Sequence, residues 1–126
     1  MAEEFITEEQ IGNLVDQFYA RVRVDPEIGP IFNAAIADWP AHLALLKDFW
    51  SSVLLTTGRY KGNPMLTHLQ LPIEPQHFRR WLALFAETAR ETLPSAQAEA
   101  IIFRSERIAE NFLAAMRYRD AGAMEG

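Results

Sequence analysis

Apolar residues recur at three- and four-residue steps at Ile11, Leu14, Val15, Phe18 and Val22, so they share one face of a helix. Thr7 with Gln10 suits a capping box at its start. Asp25-Pro26 predicts its end, because a proline disfavours helical geometry in the residue before it. Gly29-Pro30 predicts a break, after which Ile31-Phe32 open a brief helical turn running toward Ala37. Asp38 suits the cap of the next helix, with Pro40 in the first turn, where its missing N–H is not needed. Trp39, Leu43, Leu46, Phe49, Trp50, Val53 and Leu54 give that helix two overlapping apolar stripes, so it is expected to lie near the middle of the fold and to end at Gly58. Prolines 64, 72 and 75 then leave room for about two helical turns, which hold Met65, Leu66, His68, Leu69 and Leu71. Phe78, Trp81, Leu82, Phe85 and Ala89 mark another helix. Ile101, Ile102, Ser105, Ile108, Ala109, Phe112, Leu113 and Met116 mark a last long one starting near Pro94-Ser95. Alternating strand patterns and hairpin signals are absent, so the predicted class is all-α, with long helices joined by short helical pieces.

A length of 126 residues fits one domain, 1–126, whose tail from Asp120 to Gly126 is expected to fray. The net charge of −5, without a basic face, argues against a nucleic-acid partner. No apolar run approaches the roughly 20 residues that span a bilayer, and the start is acidic, so no membrane association and a cytoplasmic location are expected. Cysteine is absent, which removes disulfides, thiolate nucleophiles, zinc-thiolate and iron–sulfur sites and covalent haem attachment. Any metal must be held by histidine or carboxylate.

Three histidines are available. His77, beside Gln76, Arg79 and Arg80 at a helix start, reads as a surface residue and is set aside. His42 shares a face with Leu46, Phe49 and Val53, so its imidazole points to the interior or its edge, where an ordinary boundary residue is the default. His68 is pinned between Pro64 and Pro72 and flanked by leucines, a setting that suits a metal ligand. Tyr19 and Trp81 each extend an apolar stripe. They are either core residues whose polar tips find backbone carbonyls or two donors converging on a small ligand, and spacing alone leaves both readings open. No carboxylate stands within an apolar stripe, and phosphate loops, nucleophile elbows and short-range metal motifs are missing. Ser51-Ser52 read as surface or helix boundary.

Five stretches, in order and spacing, carry a resemblance that extends over nearly the whole chain. They are Phe18-Tyr19-x-x-Val22; Gly29-Pro30-Ile31-Phe32-Asn33; Trp39-x-x-His42 leading to Phe49-Trp50; Tyr60-x-Gly62-x-Pro64-x-x-x-His68-Leu69-x-Leu71-Pro72; and Phe78-x-x-Trp81-Leu82-x-Leu84-Phe85. The pattern resembles group III of the truncated haemoglobins, and the lack of Gly-Gly hinges agrees with that subgroup.

The resemblance implies a two-over-two helical sandwich around non-covalent haem b. It makes His68 the proximal iron ligand, Tyr19 and Trp81 the distal donors, and Phe32 the phenylalanine at the haem edge. His42 becomes the distal-helix histidine, a gate, a solvent-facing residue or a transient ligand, and Leu46 the residue one turn later over the iron. Tyr60 and Arg80 are expected as partners of the haem propionates. Two donors favour retention and polarisation of O2, so O2, NO or peroxide chemistry, such as NO dioxygenation or a peroxidase-like reaction, is expected over bulk transport. An unidentified reductase and a monomeric or weakly dimeric state complete the expectation. The alternatives are an O2 storage or sensing globin, and a cofactor-free helical interaction module in which Tyr19, Trp81 and the histidines are packing residues.

Overall fold

The computed structural model describes residues 6–55, Gly58 and 74–125, apart from the side chains of 118–125. Among the described residues there are five helices and no strand: α1 (Glu8–Val24), α2 (Gly29–Ala35), α3 (Trp39–Leu55), α4 (Pro75–Thr92) and α5 (Ser95–Glu125).

Local chemistry sets the helix ends. The Thr7 hydroxyl accepts from the Gln10 N–H at 3.1 Å while the Gln10 side chain accepts from the Thr7 N–H at 2.9 Å, the reciprocal pair expected from the sequence. The Asp38 carboxylate accepts from the Ala41 N–H at 3.1 Å at the head of α3. Gly29-Pro30 does not break the chain as expected but begins α2, because a proline in the first turn needs no N–H partner. Gly58 has a φ of +71°, a left-handed conformation that glycine adopts without strain. α5 continues to Glu125, across the stretch from Asp120 expected to fray.

The apolar stripe of α1 is buried along its whole length, and α1 packs against α2, α3 and α4, while α5 packs on α4. Phe18 is the centre of this arrangement. Its ring meets Trp81 and Phe85 edge-on, each at 5.1 Å, and Phe85 stacks with Trp81 at 5.2 Å and with Trp50 at 5.3 Å. Offset-stacked and edge-to-face contacts are the favourable aromatic geometries, so α1, α3 and α4 are locked through one run of rings. Ser51, expected at the surface, is fully buried, with its hydroxyl donating to the Glu8 carboxylate at 2.5 Å. The buried Thr88 and Ser105 hydroxyls donate to carbonyls within their own helices, of Leu84 and Ile102 respectively, so helix–helix contact costs no unpaired polar group there.

Candidate functional site

Tyr19 lies on the buried stripe of α1, with 3% of its surface exposed. Its ring touches Phe18 at 4.7 Å and faces Trp39 at 6.0 Å and His42 at 6.5 Å, both on α3. Burial pushes the phenol up to about 12, opposed by the neighbouring Trp81 indole. The phenol therefore keeps its proton across the physiological range. The Trp81 ring packs on Phe18, the residue before Tyr19, so the two expected donors are held on one side of the core.

The surroundings hold this pair in place. Trp81 is clamped between Phe18 and Phe85 on α4. His42 sits edge-on to both Tyr19 and Trp39, the latter at 5.8 Å. Trp39 is fixed in turn, its indole N–H donating to the Asn33 side chain at 3.1 Å and the Arg23 guanidinium lying 4.9 Å over its ring. Leu46, one turn beyond His42, is half-buried against the core. Phe32 on α2 is buried and shares with Trp81, Phe78, Ile108, Phe112 and His77 the lining of an apolar cavity of about 30 Å³.

An adjoining cleft of about 600 Å³ lies between α3 and α5, with Phe49 and Val53 on one side, Ile108 and Phe112 on the other, and Arg104 and Arg107 beside them. Ile108 and Phe112 belong to both spaces, so α5 provides a common floor.

Residues 3–114 match the family described as bacterial-like globin. A group 3 truncated haemoglobin of Campylobacter jejuni is 40% identical over 114 residues, covering 86% of this chain and 90% of that protein. This chain belongs to the group III truncated haemoglobins. The crystal structure of the group III truncated haemoglobin from Campylobacter jejuni superposes with a TM-score of 0.84 at 36% identity, covering 88% of this chain and 91% of that one, and so agrees with the helical sandwich.

Membership implies a haem-binding globin. The described side chains suit a flat, apolar, anionic group: the cleft falls within the roughly 300–1,000 Å³ usual for cofactor sites, its walls are largely apolar, and two guanidinium groups accompany them. Tyr19 on α1 meets His42 on α3, Phe32 on α2 and Trp81 on α4 line one cavity, and Leu46 on α3 packs against the core. His68 and Tyr60 lie outside the described residues. Arg80 is engaged elsewhere, since its Nε and one Nη donate to the Asp25 carboxylate at 2.9 and 2.6 Å.

Two features escaped the sequence reading. His77 is not a plain surface residue: it is half-buried, lines the cavity beside Trp81, and its Nδ1 accepts from the Glu74 N–H at 2.9 Å. Its position three residues after Glu74, at the head of a helix opened by Pro75, was the available signal. Asp25 was read only as a helix end. It is a buried carboxylate whose second oxygen accepts from the Glu27 and Ile28 N–H groups at 3.1 and 3.0 Å, and the side-chain turn favoured by Asp-Pro was its signal.

Among the described residues no helix is long and apolar enough to cross a membrane, and no group of three histidine or acidic side chains is placed to hold a metal.

Proposed function

We propose that this globin binds O2, NO and similar diatomic ligands at a haem b iron held by His68, and that it uses them in O2, NO or peroxide chemistry rather than carrying O2 in bulk. The observation that carries this reading is the buried Tyr19 side chain, which keeps its proton and has the Trp81 indole for a neighbour. When bound, the haem supplies an iron with an open position for a diatomic ligand.

His68 stands where the group III pattern has its proximal histidine. The Nδ1 of His77 is committed to a backbone N–H, and the His42 ring is packed against Tyr19 and Trp39, which suits a gate beside the ligand rather than a proximal ligand. Phe32 and Leu46 exclude water from the ligand side, and exclusion strengthens any hydrogen bond made there. Tyr19 orients a polar diatomic ligand by donating its proton, and the indole N–H of Trp81 is the second donor on that side. A hydrogen bond to an acceptor that gains negative charge contributes about 1.5–3 kcal/mol, or about ten- to hundredfold in ligand retention. Such retention suits turnover better than delivery, and turnover requires a reductase. Arg104 and Arg107 flank the cleft, and with Tyr60 they are the residues to hold the propionates, Arg80 being tied to Asp25.

The test is reconstitution with hemin. An intense Soret band that is lost in His68→Ala, together with faster O2 dissociation in Tyr19→Phe, is the expected outcome. Colourless protein that takes up no hemin, or O2 dissociation unchanged by the tyrosine substitution, would overturn the reading.

A further inference from the structure

Asp25 caps the C-terminal end of α1, where the helix dipole already concentrates negative charge, so a buried carboxylate there is unfavourable without a cation. Arg80 is that cation. It reaches Asp25 from α4, across 55 residues of sequence, and places two N–H groups on one carboxylate oxygen. The other oxygen is held by the Glu27 and Ile28 N–H groups, and the Asp25 carbonyl accepts from the Gly29 N–H at 2.9 Å. Asp25 therefore fastens one point of α4 to the α1–α2 corner through a carboxylate whose acceptor sites are all occupied.

The residue after Arg80 is Trp81. Neighbours on a helix are turned by about 100° from each other, so while Arg80 grips the corner, Trp81 turns toward the core and packs edge-on against Phe18, the residue before Tyr19 on α1. Of the rings that pack on the indole, Phe85 belongs to α4 itself, so Phe18 is its aromatic contact to α1 and the ion pair is a second link from this part of α4 to the α1–α2 corner.

We propose that the Asp25–Arg80 pair is a positioning device for Trp81, holding its indole against Phe18 beside Tyr19 and so setting how long a diatomic ligand is retained. This rests on reading Tyr19 and Trp81 as the ligand-side donors. Arg21 and Glu91 form a second ion pair between α1 and α4, with both side chains substantially exposed, and it provides the control.

The experiment measures O2 dissociation and the C–O stretching frequency of the ferrous carbon monoxide adduct in the haem-loaded protein. The variants are Asp25→Asn, Arg80→Gln, Arg80→Lys, Arg21→Gln, Trp81→Phe and the double variant Trp81→Phe/Asp25→Asn. Asp25→Asn and Arg80→Gln are expected to speed O2 release by about two- to thirtyfold and to shift the stretch. Arg80→Lys recovers part of the effect, because it keeps the charge without the guanidinium fork. Arg21→Gln leaves both readouts unchanged. In the Trp81→Phe background, Asp25→Asn has no further effect, since there is no indole left to position.

Unchanged ligand readouts in Asp25→Asn and Arg80→Gln, with only thermal stability lowered, would overturn the proposal, as would full additivity in the double variant. If Asp25→Asn does not fold, the two Arg80 variants decide. Should Trp81→Phe by itself leave O2 release unchanged, the ligand-donor reading fails. Should it speed release while the Asp25 and Arg80 variants do not, only the positioning role fails.

Discussion

The indole of Trp81 lies beside Tyr19, whose phenol it draws down against the burial that pushes it up, and both rings pack on Phe18. Two neighbouring groups that share their packing are coupled, so the effects of removing them are not additive. Tyr19→Phe is expected to speed O2 dissociation by about ten- to hundredfold and Trp81→Phe by less. In the double variant the rate stays close to that of Tyr19→Phe alone. Stopped-flow displacement of O2 by carbon monoxide measures all four proteins. A double-variant rate equal to the product of the single effects would refute this coupling.

The same tyrosine predicts an alkaline limb in stability. Its folded-state value, about 12, lies above that of a solvated phenol near 10, so the native state holds the proton more tightly than the unfolded state. The stabilisation is complete below about pH 10 and is lost as the pH rises toward 12. Tyr19→Phe is expected to flatten that loss by an amount of the order of 2 kcal/mol, read from urea midpoints between these pH values. An alkaline slope identical in the two proteins contradicts this.

Asp25 governs the acid limb. The Arg80 hydrogen bonds, aided by the Ile28 and Glu27 N–H groups, hold its carboxyl below the usual aspartate range despite burial. The unfolded state then binds the proton more readily than the native state. The contribution of Asp25 is therefore intact above the ordinary aspartate value and is lost as the pH falls through the lower folded one. Asp25→Asn is expected to lower stability at neutral pH and to shrink the difference from wild type under acid. Thermal unfolding at pH 7 and pH 3 tests it, and a gap that widens on acidification counts against the assignment.

Gly29 is a third point of control over the α1–α2 corner. A Cβ built there would come within 2.9 Å of the Arg23 carbonyl oxygen and 3.0 Å of that of Val22, backbone atoms that cannot rotate away. Gly29→Ala is expected to destabilise by about 1–3 kcal/mol, the usual range for overpacking. Because α2 carries Phe32, it is also expected to weaken hemin retention. Denaturant unfolding and transfer of hemin to an acceptor globin measure the two effects, and a neutral substitution would show that α2 can move freely.

The amino-acid sequence by itself determined the helices, most of their caps and the set of faces they bury. The stripe from Ile11 to Val22, the Thr7–Gln10 box and the Asp38 cap are all local, set by bonds and periodicities within a few residues. The same order and spacing of aromatic residues made the globin family legible and singled out Tyr19, Phe32, His42 and Trp81. Periodicity tells which way a side chain faces but not what it meets. Only the crossing of α1 with α4 set the Trp81 ring against Phe18 beside Tyr19, and only the α1–α2 corner gave Arg80 to Asp25. Ser51 and His77 were misjudged for the same reason: each acquires its environment from a helix distant in sequence, and the solvation of a polar group is a property of that packing rather than of its neighbours along the chain.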